Sequence, residues 1–370
     1  VEGVVNAMGE LFGETYRGRR VLVTGHTGFK GSWLSLWLAE LGAEVAGYSL
    51  APATEPSHWN LLGLPVRSVE GDILDAALLE RAVADFQPEI VFHLAAQPLV
   101  RESYRIPALT FATNVTGSVN VYEACRKAGS VRAVVSITTD KVYRNREWEW
   151  GYRENDPFGG HDPYSASKAS AEIATDSYRD SFWPNAKFGT THRTLLATAR
   201  AGNVVGGGDW AADRLVPDFV RAASRGEALT VRNPNSTRPW QHVLEPLGAY
   251  LLLGSKLFQG DASCAEGWNV GPEDEGVVPV SKVVERLQAA WPDVRASWQP
   301  DPDAPHEANL LKLDIAKIRA RLGWRPVWNS ATTFARTAEW YRRYYETGEV
   351  RSREQLREYA QAAVDAGALA

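Results

Sequence analysis

The chain is poor in cysteine and in long apolar runs, and its basic residues form no cluster. Only Cys125 and Cys264 occur in 370 residues, which excludes a disulfide framework and every cysteine-based zinc pattern and leaves both as small buried hydrophobes. The histidines at 93, 161 and 242 lack metal-ligand spacing, so structural roles are expected and no metal site. The formal charge of −5 and the pI near 5.9 offer no footprint for nucleic acid. No apolar run reaches membrane-spanning length, and residues 1–16 lack the basic and hydrophobic regions of a signal peptide. A soluble, unprocessed chain in a reducing cytoplasm, without membrane contact, is the expectation. No internal repeat is visible.

What is present is alternation. Arg20–Thr24, Ala43–Ser49, Val66–Val69, Ile90–Leu94 and Ala133–Ile137 read as buried strands, and Asp75–Phe86 and Thr110–Ala128 as the helices between them. That pattern predicts an α/β fold, a Rossmann-type doubly wound parallel sheet. After Asn203 the regularity ends. Gly206–Trp210 reads as a loop, Arg214–Arg225 as an amphipathic helix, Leu229–Arg232 as a short strand, Val243–Phe258 as an apolar helix returning to the sheet, and Gly267–Val270 as a late strand. At 370 residues with 44% hydrophobic content, the chain exceeds one ordinary domain by about a factor of two. The expected organisation is a dinucleotide-binding part over 17–202 with 240–262 packed back on it, a smaller interleaved α+β lobe over 203–239 and 263–345, and a helical tail over 346–370.

Two patterns carry chemistry. The first is Gly25-His-Thr-Gly28-Phe-Lys-Gly31 between a strand and a helix. Gly25 permits the tight turn, Gly28 lets a pyrophosphate approach the backbone, Gly31 allows close helix packing, and the helix N-terminus attracts the anion. The second runs from Thr139-Asp140-Lys141 at a strand end to Tyr164-x-x-x-Lys168 on the next helix. The four-residue spacing puts Tyr164 and Lys168 on one face, where an ammonium lowers a phenol pKa from about 10 towards neutrality. A hydroxyl, a carboxylate and two amines can thus converge with a phenol on one substrate.

Together with His93-Leu-Ala-Ala-Gln97-Pro-Leu-Val-Arg101 and Arg200-Ala-Gly-Asn203, these strings resemble the extended short-chain dehydrogenases/reductases that act on nucleotide sugars. The stretches Asn145–Asn155, Arg238–Pro246 and His306–Asp314 are similar to the CDP-glucose 4,6-dehydratase branch of that superfamily, and the resemblance runs from about Arg19 to Trp324. It implies NAD as cofactor and CDP-glucose as substrate. Tyr164 would take the proton from the sugar 4-hydroxyl as hydride leaves C4, Lys168 would tune the phenol and hold the nicotinamide ribose, and Thr139 would hydrogen-bond the 4-oxygen. Asp140 would protonate the departing C6 hydroxyl and the hydride would return to C6. The C5 base is Lys141 by preference, with Glu147 or Glu154 of the Trp-rich insert as the competing account.

The resemblance further assigns Gly25, Thr27, Gly28, Phe29, Lys30, Gly31, Leu94, Ala95, Ala96, Gln97 and Asn114 to the cofactor, and Asp72 and Ile73 to the flanks of adenine. Ser49 stands where an acidic residue commonly binds the adenosine ribose; no Arg beside it could hold a 2′-phosphate, so NAD is expected over NADP. His26 either crowds the pyrophosphate or points to solvent. Arg101, Asn203, Leu215, Pro217, Arg238 and His306 are assigned to the substrate, Arg238 for a bidentate diphosphate contact. Ala304 replaces an arginine usual in dTDP-sugar relatives, which argues against dTDP. The insert 148–152 is expected to pack beneath the lip of the site rather than stack on cytosine. The helices over 110–128 and 164–179 resemble the pair through which the superfamily forms a four-helix interface, so a homodimer or higher oligomer is expected. A 4-epimerase would not need Asp140 and Lys141, and a cofactor-sensing binding protein would be expected to have lost the Tyr or the Lys.

Overall fold

The computed structural model describes residue 8 and residues 11–231, 233–292, 294–299 and 310–369. Seven strands, β1 (Arg20–Thr24), β2 (Glu44–Ser49), β3 (Arg67–Glu70), β4 (Ile90–His93), β5 (Ala133–Thr139), β6 (Leu195–Ala201) and β10 (Gly267–Val270), form one sheet in the order β10-β6-β5-β4-β1-β2-β3. Every pairing in it is parallel. Central strands of such a sheet are covered on both faces, which is why Val21-Leu22-Val23 and Val134-Val135 are apolar without alternation and buried throughout. Two smaller sheets join β7 (Asn203–Val205), β9 (Thr237–His242) and β11 (Val277–Pro279), and β8 (Leu229–Val231) with β12 (Ala296–Trp298).

The longer helices are α1 (Phe29–Glu40), α2 (Ala76–Phe86), α3 (Gly117–Ala128), α4 (Pro163–Phe182), α5 (Leu215–Arg225), α6 (Leu244–Gln259), α7 (Val280–Ala290), α8 (Ser330–Thr347) and α9 (Ser352–Asp365). Local chemistry sets several of their starts. Asp75 accepts from Leu78 N at 2.9 Å, Asn329 from Thr332 N at 2.9 Å, and Asp162 from Ser165 N at 2.9 Å ahead of Pro163, whose missing N–H costs nothing in the first turn. The largely apolar α6 lies against β5 and β6.

Several elements depart from expectation. The single helix expected over 110–128 is interrupted by a wide turn, Ala112–Thr116, which carries buried Asn114; such π-type bulges re-aim a side chain within a helix. β6 runs against local propensity, because Leu195-Leu-Ala-Thr-Ala-Arg-Ala201 carries a single β-branched residue, Thr198, among three alanines; it is a strand because both its neighbours in the sheet demand one. Helix α9 is the terminal helix of the expected tail, and it packs on the body: Leu356 and Tyr359 belong to the main core, and the Tyr359 hydroxyl donates to buried Glu245 at 2.8 Å.

In this strand order the connections change direction between β1 and β4. A crevice opens there, beyond the carboxyl ends of the strands.

Candidate active site

That crevice is a cavity of about 640 Å³, and its floor is the turn from β1 into α1. Gly25 has φ +75°, and a Cβ on it would meet the Ala95 nitrogen at 2.8 Å. A Cβ on Gly31 would lie 2.0 Å from the Gly25 carbonyl oxygen, so glycine there is required by the turn folding onto its own helix. Gly28 sits at the helix N-cap in an extended conformation, with no side-chain cap and no acidic residue in the first turn. Gly28, Phe29 and Lys30 line the cavity, leaving an uncapped helix N-terminus beside it, a fit for a diphosphate.

His26 takes neither expected position. It is buried, with Nε2 2.7 Å from the Ser68 hydroxyl and its ring edge-on to Trp59 at 4.6 Å. Gly47 makes the room, since a Cβ there would lie 2.2 Å from the imidazole. The ring is thus tucked over β2 and β3, away from both the pyrophosphate position and solvent, and burial lowers its pKa to about 4.

Along the cavity, Thr27, Ser49, Asp72, Ile73, Leu94, Ala95 and Ala96 all line the wall. The hydroxyls of Ser49 and Thr27 are 2.8 Å apart, and Asp72 accepts from Leu74 N at 2.9 Å. Gln97 and Asn114 stand behind the wall: Asn114 accepts from Gln97 N at 2.8 Å and donates to the Ser167 hydroxyl at 2.8 Å, which ties the β4 loop to α4. They shape the cavity without lining it.

Thr139, Lys141, Tyr164 and Lys168 converge on the other end of the same cavity. Asp140 is fully buried immediately behind. Its Oδ1 accepts from the Thr139 hydroxyl at 2.9 Å and from Lys141 Nζ at 3.2 Å, while Oδ2 has no protein partner and faces Gly202, where a Cβ would come within 3.0 Å of it. Lys168 Nζ donates to the Ile137 carbonyl at 3.1 Å, and burial lowers its pKa to about 8 against the opposing pull of Glu172.

The expected lowering of the Tyr164 phenol is not what the geometry produces. Burial pushes it up to about 12, with the Thr139 hydroxyl and the Arg214 charge drawing it back, because phenolate desolvation outweighs both and the Lys168 ammonium is turned to a carbonyl. Lys30 also reaches this end of the cavity, its Nζ 3.5 Å from the Tyr250 hydroxyl. Burial, then the charges of Arg214 and Lys168, lower it to about 7.

Arg101, Asn203, Leu215, Pro217 and Arg238 line the cavity as well. Arg238 is buried in β9 and donates to the Thr237 carbonyl at 2.9 Å. His306 and Ala304 lie outside the described residues. In the Trp-rich insert Trp148 stacks on Tyr152 at 5.4 Å and Tyr152 on Tyr143 at 5.4 Å, with Leu311 and Leu313 in the same cluster, whereas Trp150 is exposed. Glu147 accepts from Leu310 N at 2.7 Å and Glu154 from Asn269 N at 3.0 Å; neither lines the cavity.

Arg214 escaped the sequence reading. It lines the cavity at the N-cap of α5, held by Asp209 at 2.9 Å. The signal available was an acid and a base five apart just after a glycine run, Gly206–Gly208, which by itself also describes a solvated surface pair.

The family described as GDP-mannose 4,6 dehydratase matches residues 22–337. The CDP-glucose 4,6-dehydratase of Salmonella typhimurium is 50% identical over 330 residues, 88% of this chain and 91% of that protein. Among solved structures, a dTDP-glucose 4,6-dehydratase from Streptomyces venezuelae with NAD bound aligns with TM-score 0.73 at 25% identity, covering 89% of this chain and 99% of that one. The UDP-glucose 4-epimerase of Thermus thermophilus, in complex with NAD, aligns with TM-score 0.73 at 27% identity, covering 87% and 99%. With its parallel sheet, glycine turn and Tyr164/Lys168 pair, the chain belongs to the GDP-mannose 4,6 dehydratase family of the extended short-chain dehydrogenases/reductases.

Proposed function

We propose that this chain, with NAD as its cofactor, dehydrates CDP-D-glucose to CDP-4-keto-6-deoxy-D-glucose, which makes it a hydro-lyase. The observation that carries the reading is that Thr139, Lys141, Tyr164 and Lys168 line one cavity with the glycine cradle, with Asp140 bonded directly behind them, in a chain 50% identical to a CDP-glucose 4,6-dehydratase. On this reading residues 17–202 with 240–262 form the dinucleotide-binding part, and 203–239 with 263–345 the sugar-nucleotide lobe.

The uncapped α1 N-terminus and Gly25, Gly28 and Gly31 would hold the NAD diphosphate, with Ser49, Asp72 and Ile73 at the adenosine end. Bound there, NAD supplies an acceptor for hydride from C4 of the sugar and returns that hydride to C6. Tyr164 takes the 4-hydroxyl proton while Thr139 hydrogen-bonds the same oxygen; Arg214 lowers the cost of the phenolate. The 4-ketone acidifies C5. A proton shift from Lys141 Nζ to Asp140 turns their ion pair into an amine and an acid. Lys141 then takes the C5 proton, Asp140 gives its proton to the departing C6 hydroxyl, and water leaves. As hydride reaches C6, the Lys141 ammonium returns a proton to C5, and the proton that Tyr164 took from the 4-hydroxyl passes through solvent to Lys141 and restores the ion pair. Glu147 and Glu154 are held by Leu310 and Asn269, which supports Lys141 as the base.

Arg238 and Arg214 would grip the substrate diphosphate, with Arg101, Asn203, Leu215 and Pro217 around the sugar nucleotide. A homodimer is supported by exposed apolar side chains on the expected helix pair: Ile173 and Phe182 on α4, and Leu109 and Phe111 beside the wide turn. Light scattering at micromolar concentration tests this, a monomeric mass with full activity being the adverse result.

The functional test is incubation with CDP-, dTDP-, GDP- and UDP-glucose, followed by mass spectrometry for loss of water and by absorbance for NADH. A 4-keto-6-deoxy product from CDP-glucose, without accumulating NADH, is expected. Stoichiometric NADH, or an epimer of unchanged mass, would overturn the reading.

A further inference from the structure

One turn beyond Lys168 on the same face of α4 stands Glu172, fully buried. Its Oε1 accepts from Arg200 Nε at 3.0 Å and from the Thr138 hydroxyl; its Oε2 accepts from Arg200 Nη2 at 2.9 Å and from the Thr198 hydroxyl at 2.7 Å. Arg200, itself 3% exposed, also donates to the Tyr143 hydroxyl at 2.8 Å and the Glu154 carbonyl at 3.1 Å. A buried ion pair carries a desolvation penalty that its mutual attraction often fails to repay, so stability alone is a poor reason for one.

Its placement suggests a better reason. Thr138 lies between Ile137, whose carbonyl receives the Lys168 ammonium, and Thr139, which faces the cavity. One carboxylate therefore fixes α4 against the end of β5 at the residue between two members of the site. The groups around Lys168 otherwise offer an ammonium no negative charge: Lys30 of α1, lowered to about 7, brings none, Lys141 after β5 is paired with Asp140, Tyr164 is protonated at neutral pH, and His93 of β4 is kept neutral by burial at about 3. Glu172 is the charge that raises the Lys168 pKa.

We infer that Glu172, with Arg200 as its fixed counterion, is a positioning residue of the reaction: it holds α4 in register with β5, keeps Lys168 charged and keeps Thr139 aimed at the reacting oxygen. The inference rests on the role given to Lys168 above. Arg200 makes the arrangement rigid by spending its remaining donors on Tyr143 and Glu154, so the carboxylate cannot swing to Lys168 and form a direct pair that would withdraw the ammonium from the cavity.

The test is Glu172→Gln, with Glu172→Gln/Arg200→Gln as a second variant that leaves no uncompensated buried guanidinium. Titration of Lys168, followed by NMR of lysine labelled at Cε and assigned with Lys168→Met, should fall by about one pH unit or more in the single variant and by less in the double, a unit being tenfold in the charged fraction. The kcat for C4 oxidation should fall about tenfold or more with KM within about threefold, since a group that acts through the transition state moves kcat. The double variant should recover the melting temperature and only part of the Lys168 titration. An unchanged Lys168 titration in folded protein, or a loss confined to KM, overturns the inference. If the parent dehydrates no nucleotide sugar while the Lys168 titration still shifts in Glu172→Gln, the functional reading fails and the electrostatic role of Glu172 stands.

Discussion

Lys141 donates its ammonium to Oδ1 of Asp140 across 3.2 Å, so the proposed base and the proposed acid of the elimination are one ion pair. If the pair exchanges its proton internally, loss of either partner should stop proton removal at C5. Lys141→Ala and Asp140→Asn are both expected to form NADH transiently from the sugar, yet to lose exchange of the C5 hydrogen with deuterated solvent by about a hundredfold or more, the usual range for a missing general base. Glu147→Gln should exchange like the parent. Persistent exchange in Lys141→Ala together with its loss in Glu147→Gln would move the base to the insert; persistence in Asp140→Asn alone would show that Lys141 discards its proton to solvent.

A base at about 12 and an ammonium at about 8 make Tyr164 and Lys168 a reverse-protonated pair. The active form, phenolate with ammonium, grows about tenfold per pH unit up to about 8 and is level above it. The kcat/KM for C4 oxidation should follow that curve. Arg214→Leu removes a cation that draws the phenol down, so kcat/KM should fall by about tenfold for each unit that Tyr164 rises, with the bend still at Lys168. A pH profile flat from 6 to 9 in the parent would refute the assignment.

Ser49 offers a hydroxyl, already 2.8 Å from that of Thr27, where a carboxylate would bond two ribose hydroxyls. Charge-assisted hydrogen bonds are about twice as strong as neutral ones. Ser49→Asp should therefore lower the NAD dissociation constant by about tenfold in a fluorescence or calorimetric titration. An unchanged constant would mean that the ribose does not reach the end of β2.

Four buried histidines set the acid limit. Burial lowers His26 to about 4 and His58, His93 and His242 to about 3, all below the ordinary 6.5. Below pH 6.5 the unfolded chain binds protons that the folded chain refuses, so stability present above 6.5 is lost as pH falls towards 3, by up to about 1.4 kcal/mol per unit for each histidine. Glu245, raised to about 7 by burial, works in the opposite direction between 7 and 4.5, but it is one group against four. The melting temperature should fall by several degrees between pH 7.5 and 5. A constant value across that range would contradict the buried neutral rings.

Much of the fold and the reacting end of the site were legible without a structure. Gly25, Gly28 and Gly31 announce the cradle because only glycine satisfies a left-handed φ or a 2.0 Å approach to backbone. Tyr164 and Lys168 lie one helical turn apart, a relation that periodicity alone establishes. Apolar strands with continuous runs, such as β1 and β4, identify a sheet covered on both faces. These are short-range properties: spacing along one element decides them.

What the tertiary structure decided involves residues distant in sequence. That His26 packs against β2 and β3 depends on Gly47, 21 positions away. Gln97 and Asn114 brace the wall instead of lining it because the wide turn at 112–116 delivers Asn114 to the β4 loop. β6 is a strand by virtue of its neighbours, against its own alanine-rich composition. The phenol of Tyr164 rises where spacing alone predicted a fall, since desolvation depends on everything packed around a group and not on the one residue four places along. The sequence thus determines which groups are present and how each element places them, whereas burial and the meeting of elements determine which of them carry charge and which face the cavity.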